Sequence, residues 1–320
     1  MAHTVRAGND RGRHATRPQE VPARGWRDVL LRVKSEMDKD NLSIVAAGVA
    51  FYFLLSIFPA LAAFISIYGL LNDPADAQQQ VQSFSEIMPA EARNILLAQM
   101  QKLTAGSSSA LGFGALFGLL LALWSTMKGT MALITALNIV YGETEQRGMI
   151  KLYLVAFLLT VGAVLFLVLS LSLIAVIPPI LERLGIGSWI ETAFNVARWP
   201  ILALVVITML SVVYRFAPSR SRPRWRWVNP GSLTAAARWL ITTALFSWYG
   251  SSFGSYNETY GSLGAVVILL MWFYITSYIF LMGGELNAEL ERQTKEDTTE
   301  TGQPLGKRGA YAADTVGKKP

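Results

Sequence analysis

The chain has 320 residues, 52% of them hydrophobic and only 16% charged, against about 25% charged in an ordinary soluble domain. That deficit points to a membrane protein, and with no cysteine and two histidines, His3 and His14, both in a polar stretch, it excludes disulfides, thiolate metal sites and a zinc hydrolase centre. The net charge of +6 acquires meaning only once the basic residues are sorted by their position along the chain.

Residues 1–25 are polar, basic and dotted with Gly and Pro, the composition of a disordered tail. From Trp26 the spacing of Trp26, Val29, Leu30, Val33 and Met37 predicts an amphipathic helix lying on the cytoplasmic membrane surface. The first apolar run begins near Leu42 and is far longer than a signal-peptide h-region, so a cleavable signal is not expected.

Leu42 to Leu71 carries no charge and as one helix would measure about 45 Å, longer than a hydrocarbon core of about 30 Å. It reads as a tilted span or one kinked at Pro59. Ala46, Ala47, Gly48 and Ala50 suit close packing inside a bundle, and Asp40 with Asn41 reads as an N-cap. Ser56 and Tyr52, one and two turns before Pro59, form either a polar kink useful in transport or a packing kink.

Residues 72–108 form a mixed-charge loop. Within it Ala92, Ile95, Leu96, Gln99, Met100 and Leu103 follow Pro89 with a helical period, predicting a short helical cap on the extracytoplasmic side. The second span covers about 109–128, its helical pattern continuing to Tyr141. Lys128, among Trp124, Ser125, Thr126 and Gly129, reads either as a charge lining a polar pathway or as a snorkelling lysine at the interface.

A third span covers about 152–181. The fourth, about 193–215, is bracketed by Arg198 and Arg215, which are expected to snorkel to opposite surfaces. Next comes an arginine loop in which Arg215, Arg220, Arg222, Arg224 and Arg226 crowd beside Trp225 and Trp227. Interleaved aromatics and cations also suit RNA stacking, but Trp and Arg are what an inner membrane interface collects, and the loop reads as an anionic-lipid and topology anchor. Pro230 suits a first helical position, opening a fifth span over about 231–256, with Arg238 as an interfacial anchor. The sixth, about 261–285, has no charged residue from Gly261 to Gly284, and lipid admits such a segment only as a helix. Glu285 and Glu289, four apart and on one helix face with Asn287 between them, read as a solvated helix exit. Alternatively they hold a cation or pair with Lys128 or the arginine loop at the inner mouth of a pathway. The polar stretch 293–320 is expected to be disordered.

Six spans sort the 28 basic residues unevenly. Only Arg93, Lys102, Arg183 and Arg198 fall on one side, with Lys128 and Arg238 at span boundaries, so the other side, which carries both termini, is cytoplasmic. No GxxxxGK[ST] motif occurs, so an ATPase of its own is not expected.

Four stretches then carry a resemblance: AAGVAFYFLLSIFPAL (Ala46 to Leu61), ALNIVYG (Ala136 to Gly142), the Tyr214 to Pro218 exit with Pro230-Gly231, and Tyr260 to Glu291. Together they resemble the YihY/BrkB family of bacterial inner-membrane proteins, over roughly Trp26 to Arg292. The resemblance implies an all-α, six-helix protein of the cytoplasmic membrane with both ends inside, associated with envelope integrity and with lipid-linked or solute export. It also brings an older ribonuclease BN label. A ribonuclease needs acid, base or metal-binding groups gathered in one place, and with both histidines in the tail that label is disfavoured.

The sequence therefore predicts a membrane domain over 26–292, with polar tails at 1–25 and 293–320. Its expected role is a transporter or an export factor for a lipid or amphipathic envelope solute, the alternative being a non-transporting structural factor. Lys128, Glu285, Tyr52 and Ser56 are the candidate pathway residues. No cofactor, metal, catalytic residue or nucleic-acid partner is expected; anionic lipid headgroups are, and homo-oligomers are left open.

Overall fold

A computed structural model describes residues 11–71, 111–171, 187–251 and 262–300, together with 173, 177, 178 and 181. The expected cap within 72–108, residues 1–10 with His3, and residues 301–320 lie outside the described residues. Among the described residues, after a 3-10 turn at Pro18–Glu20, seven α-helices follow in chain order: α1 (Ala23–Lys39), α2 (Leu42–Leu71), α3 (Leu111–Tyr141), α4 (Met149–Leu171), α5 (Ser188–Phe216), α6 (Trp225–Ser251) and α7 (Ser262–Gln293). Among the described residues the regular structure is helical, apart from one isolated antiparallel bridge between Pro223 and Thr299.

Three described segments are long and apolar enough to cross a membrane: Met149–Ser170 in α4, Trp189–Phe216 in α5 and Val266–Gln293 in α7; Leu42–Ser56 is a shorter apolar stretch. Phe51, Leu55, Leu121, Leu158, Leu165, Leu204 and Val267 are exposed on the outer faces, an apolar exterior that water would penalise and lipid would not. The core is equally apolar. Val49, Leu137, Val140, Leu210, Leu281 and Ala288, from α2, α3, α5 and α7, pack into one cluster.

Small residues and side-chain oxygens fix the crossings. Ala46 and Ala50 turn inward on α2, whereas Ala47 and Gly48 face outward. Ser56 Oγ donates to the Tyr52 carbonyl at 2.7 Å and accepts the Gly129 N–H of α3 at 3.1 Å, so α2 and α3 meet where glycine leaves room. Thr130 and Thr160 hydroxyls join α3 to α4 at 2.8 Å. On α6 and α7, Gly231 and Gly283 face each other. A Cβ on Gly283 would lie 2.5 Å from Tyr214 Oη and 2.7 Å from Ala235 Cβ, so the helices approach to backbone contact.

Several expectations change at the helix ends. Asp40 ends α1, and Asn41 adopts φ 50, a left-handed corner that Asn tolerates. Its Nδ2 donates to the Lys39 carbonyl and its own carbonyl accepts the Ile44 and Val45 N–H groups, so it turns the chain from α1 into the first turn of α2. Pro59 lies inside α2, where its missing N–H leaves the Leu55 carbonyl without the usual donor. Pro230 lies inside α6, which begins earlier at Trp225; burial of Trp227 and Val228 stabilises the extra turn. Gly142, at φ 68, closes α3 in a Schellman motif: its N–H bonds the Ile139 carbonyl and that of Glu143 the Asn138 carbonyl.

The apolar stripe of α1 is covered by protein: Val29 and Val33 pack with Trp227, Leu286 and Leu290, while Leu30 and Leu31 stay exposed. Nor are residues 11–25 and 293–300 loose tails. Arg11 pairs with Asp28 at 2.8 Å, Gln293 Nε2 donates to the Arg11 carbonyl, Thr294 Oγ1 to that of Ala15, and the Lys295 N–H to that of Arg13. Polar composition argued for disorder, but two polar segments satisfy each other's backbone groups here.

Candidate functional site

Where α3 closes at Tyr141, the ends of α1, α5, α6 and α7 converge on a buried polar network. Arg220 forms a bidentate pair with Glu291, at 2.7 and 3.2 Å, the two side chains being 3% and 1% exposed. The guanidinium stacks over the Tyr141 ring, 4.4 Å from its centroid, and Thr298 Oγ1 donates to the second Glu291 oxygen at 2.7 Å. Burial works against the Arg220 charge, but the Glu291 carboxylate and the Tyr141 oxygen overcome it and hold its pKa above the ordinary guanidinium value. Glu289 accepts from Arg32 at 2.7 Å and pairs also with Arg292, whose other nitrogen caps the Tyr141 carbonyl at 3.0 Å.

Around this network the loops are tied to helix ends. Asn138 Oδ1 accepts the Ser219 N–H at 2.7 Å, and its Nδ2 donates to Glu145. Arg147 grips Glu145 through Nε and Nη2 at 2.8 and 2.7 Å and donates to the Phe216 and Ala217 carbonyls, satisfying the end of α5. Hydrogen bonds from Arg147 pull the Glu145 carboxyl down to about 2. Asn287 Oδ1 accepts the Gly231 N–H at 2.7 Å, and Tyr214 Oη donates to the Phe280 carbonyl at 2.7 Å.

Two hollows flank the network. A groove of about 610 Å³ between α2, α3 and α4 is lined by Tyr52, Trp124, Met127, Lys128, Thr135 and Tyr153, among others. The Trp124 and Tyr153 rings stack at 5.5 Å. The second hollow, a cleft of about 760 Å³, lies between the start of α4 and the turn after α5. Its lining is basic: Arg147, Lys151, Arg215, Arg220 and Arg222, with Glu300.

The stretches in which the resemblance was read are thus the joints of the bundle: Ser56 to Gly129, Asn138 to Ser219, Tyr214 to Phe280, Gly231 to Asn287. A family model described as virulence factor BrkB matches residues 33–306. The chain belongs to the BrkB family. Among relatives of this BrkB-family protein, the putative ribonuclease-like protein YfkH of Bacillus subtilis is 31% identical over 256 residues, covering 78% of this chain and 90% of YfkH. A UPF0761 membrane protein of Psychromonas ingrahamii is 26% identical over 290 residues, 87% of this chain and 93% of its own. One from Cronobacter sakazakii is 27% identical over 258 residues, 79% and 85%. No solved structure matches the chain.

In the BrkB-family chain the four candidate pathway residues separate. Tyr52 and Lys128 share the groove, both exposed there. Ser56 is buried and engaged between α2 and α3. Glu285 is fully buried next to Gly284, where a Cβ would lie 3.1 Å from Leu137 and 3.3 Å from Val140, nine and twelve residues beyond Lys128 along α3, or about 14–18 Å, so the structure does not bring the two together. Glu285, Asn287 and Glu289 are not a solvated helix exit: all three are buried, because α1, α6 and the arginine loop fold over the end of α7.

The arginine loop divides in the same way. Arg222, Arg224 and Trp225 are exposed and Arg226 is half-buried, while the Arg220 side chain, 3% exposed, and Trp227 are buried in the protein instead of reaching a lipid surface. Arg215 does not snorkel. It is buried against the Pro223 carbonyl at 2.6 Å, the Glu300 carboxylate at 2.6 Å and the Trp225 ring. Arg198 stacks over Trp199, and Arg238 donates to Met282 Sδ. His14 lies 3.5 Å from Glu296. Sequence reasoning missed Asn138, Tyr141, Tyr214 and Gly231 as joints; the available signal was polar or small residues placed where apolar helices run out.

Proposed function

We propose that this BrkB-family membrane protein is a six-span protein of the bacterial cytoplasmic membrane. Both termini are cytoplasmic, and it moves an amphipathic, anionic envelope component across the bilayer as a transporter or lipid export factor without its own ATPase. The basic asymmetry of the sequence supports the orientation: Arg147, Lys151, Arg215, Arg220 and Arg222 all line one cleft at the end of the bundle that holds Tyr141, over which Arg220 stacks. Anionic lipid headgroups are the natural partners of that face.

Lys128 is the observation that carries the reading. An ammonium exposed in a lipid-side groove about 20 Å along α3 from its closed end is costly in hydrocarbon unless water or a counter-charge reaches it. A passing phosphate or carboxylate headgroup would provide that charge, with Tyr52, Trp124 and Tyr153 packing beside its apolar part. In liposomes holding a fluorescent phosphatidylglycerol, accessibility to a membrane-impermeant quencher measures movement. Lys128→Ala should slow it about tenfold, the cost of losing one charge contact of about 1.4 kcal/mol, and Lys128→Arg should retain most of it. Equal rates for wild type and Lys128→Ala would refute the reading.

A second reading, a non-transporting structural factor for envelope integrity, is favoured by the buried Arg220, Glu291, Glu289 and Arg292 network, which locks one end of the bundle. Absence of flux in the same liposomes would select it. YfkH's ribonuclease-like name does not extend to this chain in our reading, since His3 and His14 both lie in the polar N-terminal stretch.

A further inference from the structure

The basic cleft beside α4 carries more cations than its own carboxylates neutralise. Arg147 is held by Glu145 and Arg220 by Glu291. Lys151 and Arg222, both exposed, form no ion pair among the described residues, although Arg222 lies over the Phe216 ring. Arg215 is 6% exposed, and its Nε has no hydrogen-bond partner among the described residues. A buried guanidinium with a spare donor, two exposed cations and a hollow of about 760 Å³ make an anion site with room for more than a carboxylate.

One anion is already there. Glu300 reaches Arg215 Nη2 at 2.6 Å and is 47% exposed. It is delivered by a short antiparallel strap: the Arg224 N–H bonds the Thr298 carbonyl, the Glu300 N–H bonds the Arg222 carbonyl, and Pro223 bridges to Thr299. The strap presents a carboxylate to the cleft as a ligand would.

We propose that this cleft binds a phosphate group, and that Glu300 is a built-in competitor which a phosphate displaces from Arg215. Lys151 and Arg222 meet the phosphate from the open side while Arg215 holds it from within. The inference deepens the reading of this face as one that meets anionic headgroups, and it does not depend on transport or on Lys128.

The full chain in dodecylmaltoside, titrated with dihexanoyl phosphatidylglycerol and separately with inorganic phosphate, tests the site by thermophoresis. Saturable binding is expected, weakening with added salt. Glu300→Gln should tighten it about two- to fivefold, the scale of a half-exposed ion pair. Lys151→Ala and Arg222→Ala should each weaken it about threefold or more, and both positions are exposed enough to leave the fold intact by gel filtration. If inorganic phosphate competes with the lipid, the site takes the phosphate group itself. If only the lipid binds, the headgroup in its lipid is the ligand. The proposal is overturned if neither probe binds saturably, or if all three variants bind as wild type. Flux that fails while this binding holds would refute the transport reading alone.

Discussion

Removing one half of the Arg220 and Glu291 pair should cost far more than removing both. The pair is bidentate, with side chains 3% and 1% exposed, so solvent screens it little. Glu291→Gln leaves the Arg220 guanidinium over Tyr141 without its counter-charge, and Arg220→Met leaves a buried carboxylate held only by Thr298. Each single change should destabilise by about 3–5 kcal/mol, the cost of a buried charge deprived of its partner. At about 2–4 °C per kcal/mol for a domain of this size, that is a fall in apparent Tm of about 6–20 °C. The double variant Arg220→Met with Glu291→Leu removes both charges and keeps the volume, and should recover to within about 1–2 kcal/mol of wild type. Thermal unfolding in dodecylmaltoside, followed by tryptophan fluorescence, measures all three. Single variants within 1–2 °C of wild type, or a double variant whose loss is the sum of the singles, would refute the reasoning.

Gly283→Ala should destabilise by about 1–3 kcal/mol, since its Cβ would lie 2.5 Å from Tyr214 Oη, 2.7 Å from Ala235 Cβ and 2.9 Å from the Gly231 carbonyl; Gly48→Ala, with open space around it, should be nearly neutral in the same melt. Tyr214→Phe should cost about 1 kcal/mol through the lost bond to the Phe280 carbonyl. The folded Glu145 carboxyl titrates at about 2, below its ordinary 4.5. Its stabilisation is therefore fully present above pH 4.5 and lost as pH falls towards 2. The Tm gap between wild type and Glu145→Gln should hold constant from pH 7 to about 5 and narrow below, and a gap that widens in acid would contradict the assignment. Ser56→Ala should lower Tm by about 1 kcal/mol equivalent without changing flux in liposomes, because its hydroxyl serves the Gly129 N–H and not the groove.

Hydrophobic periodicity and length were enough to write most helices into the sequence. Leu42–Leu71 is a helix over the span read from its uncharged run, and α3 extends to Tyr141 as its pattern continued. These readings work because a long uncharged run in lipid has no alternative to the helix. The family, too, was legible, since the residues that resemble it are the ones that set the joints.

What sequence could not supply was the company each charge keeps. Glu285, Asn287 and Glu289 look solvated when read along α7, and only the folding of α1, α6 and the 217–224 turn over that end buries them. Arg215 and Arg220 look like lipid anchors until Glu300 and Glu291, distant in sequence, arrive beside them. Lys128 and Glu285 could be paired on paper, whereas Lys128 stands exposed in the groove and Glu285 is buried where α7 meets Leu137 and Val140, further along α3. Local pattern is decided by a residue's near neighbours and the solvent around it, so the sequence by itself determined the helices and their membrane character. Burial and pairing of charge depend on groups more than 70 positions away, as between Arg220 and Glu291, and only the tertiary structure decided them.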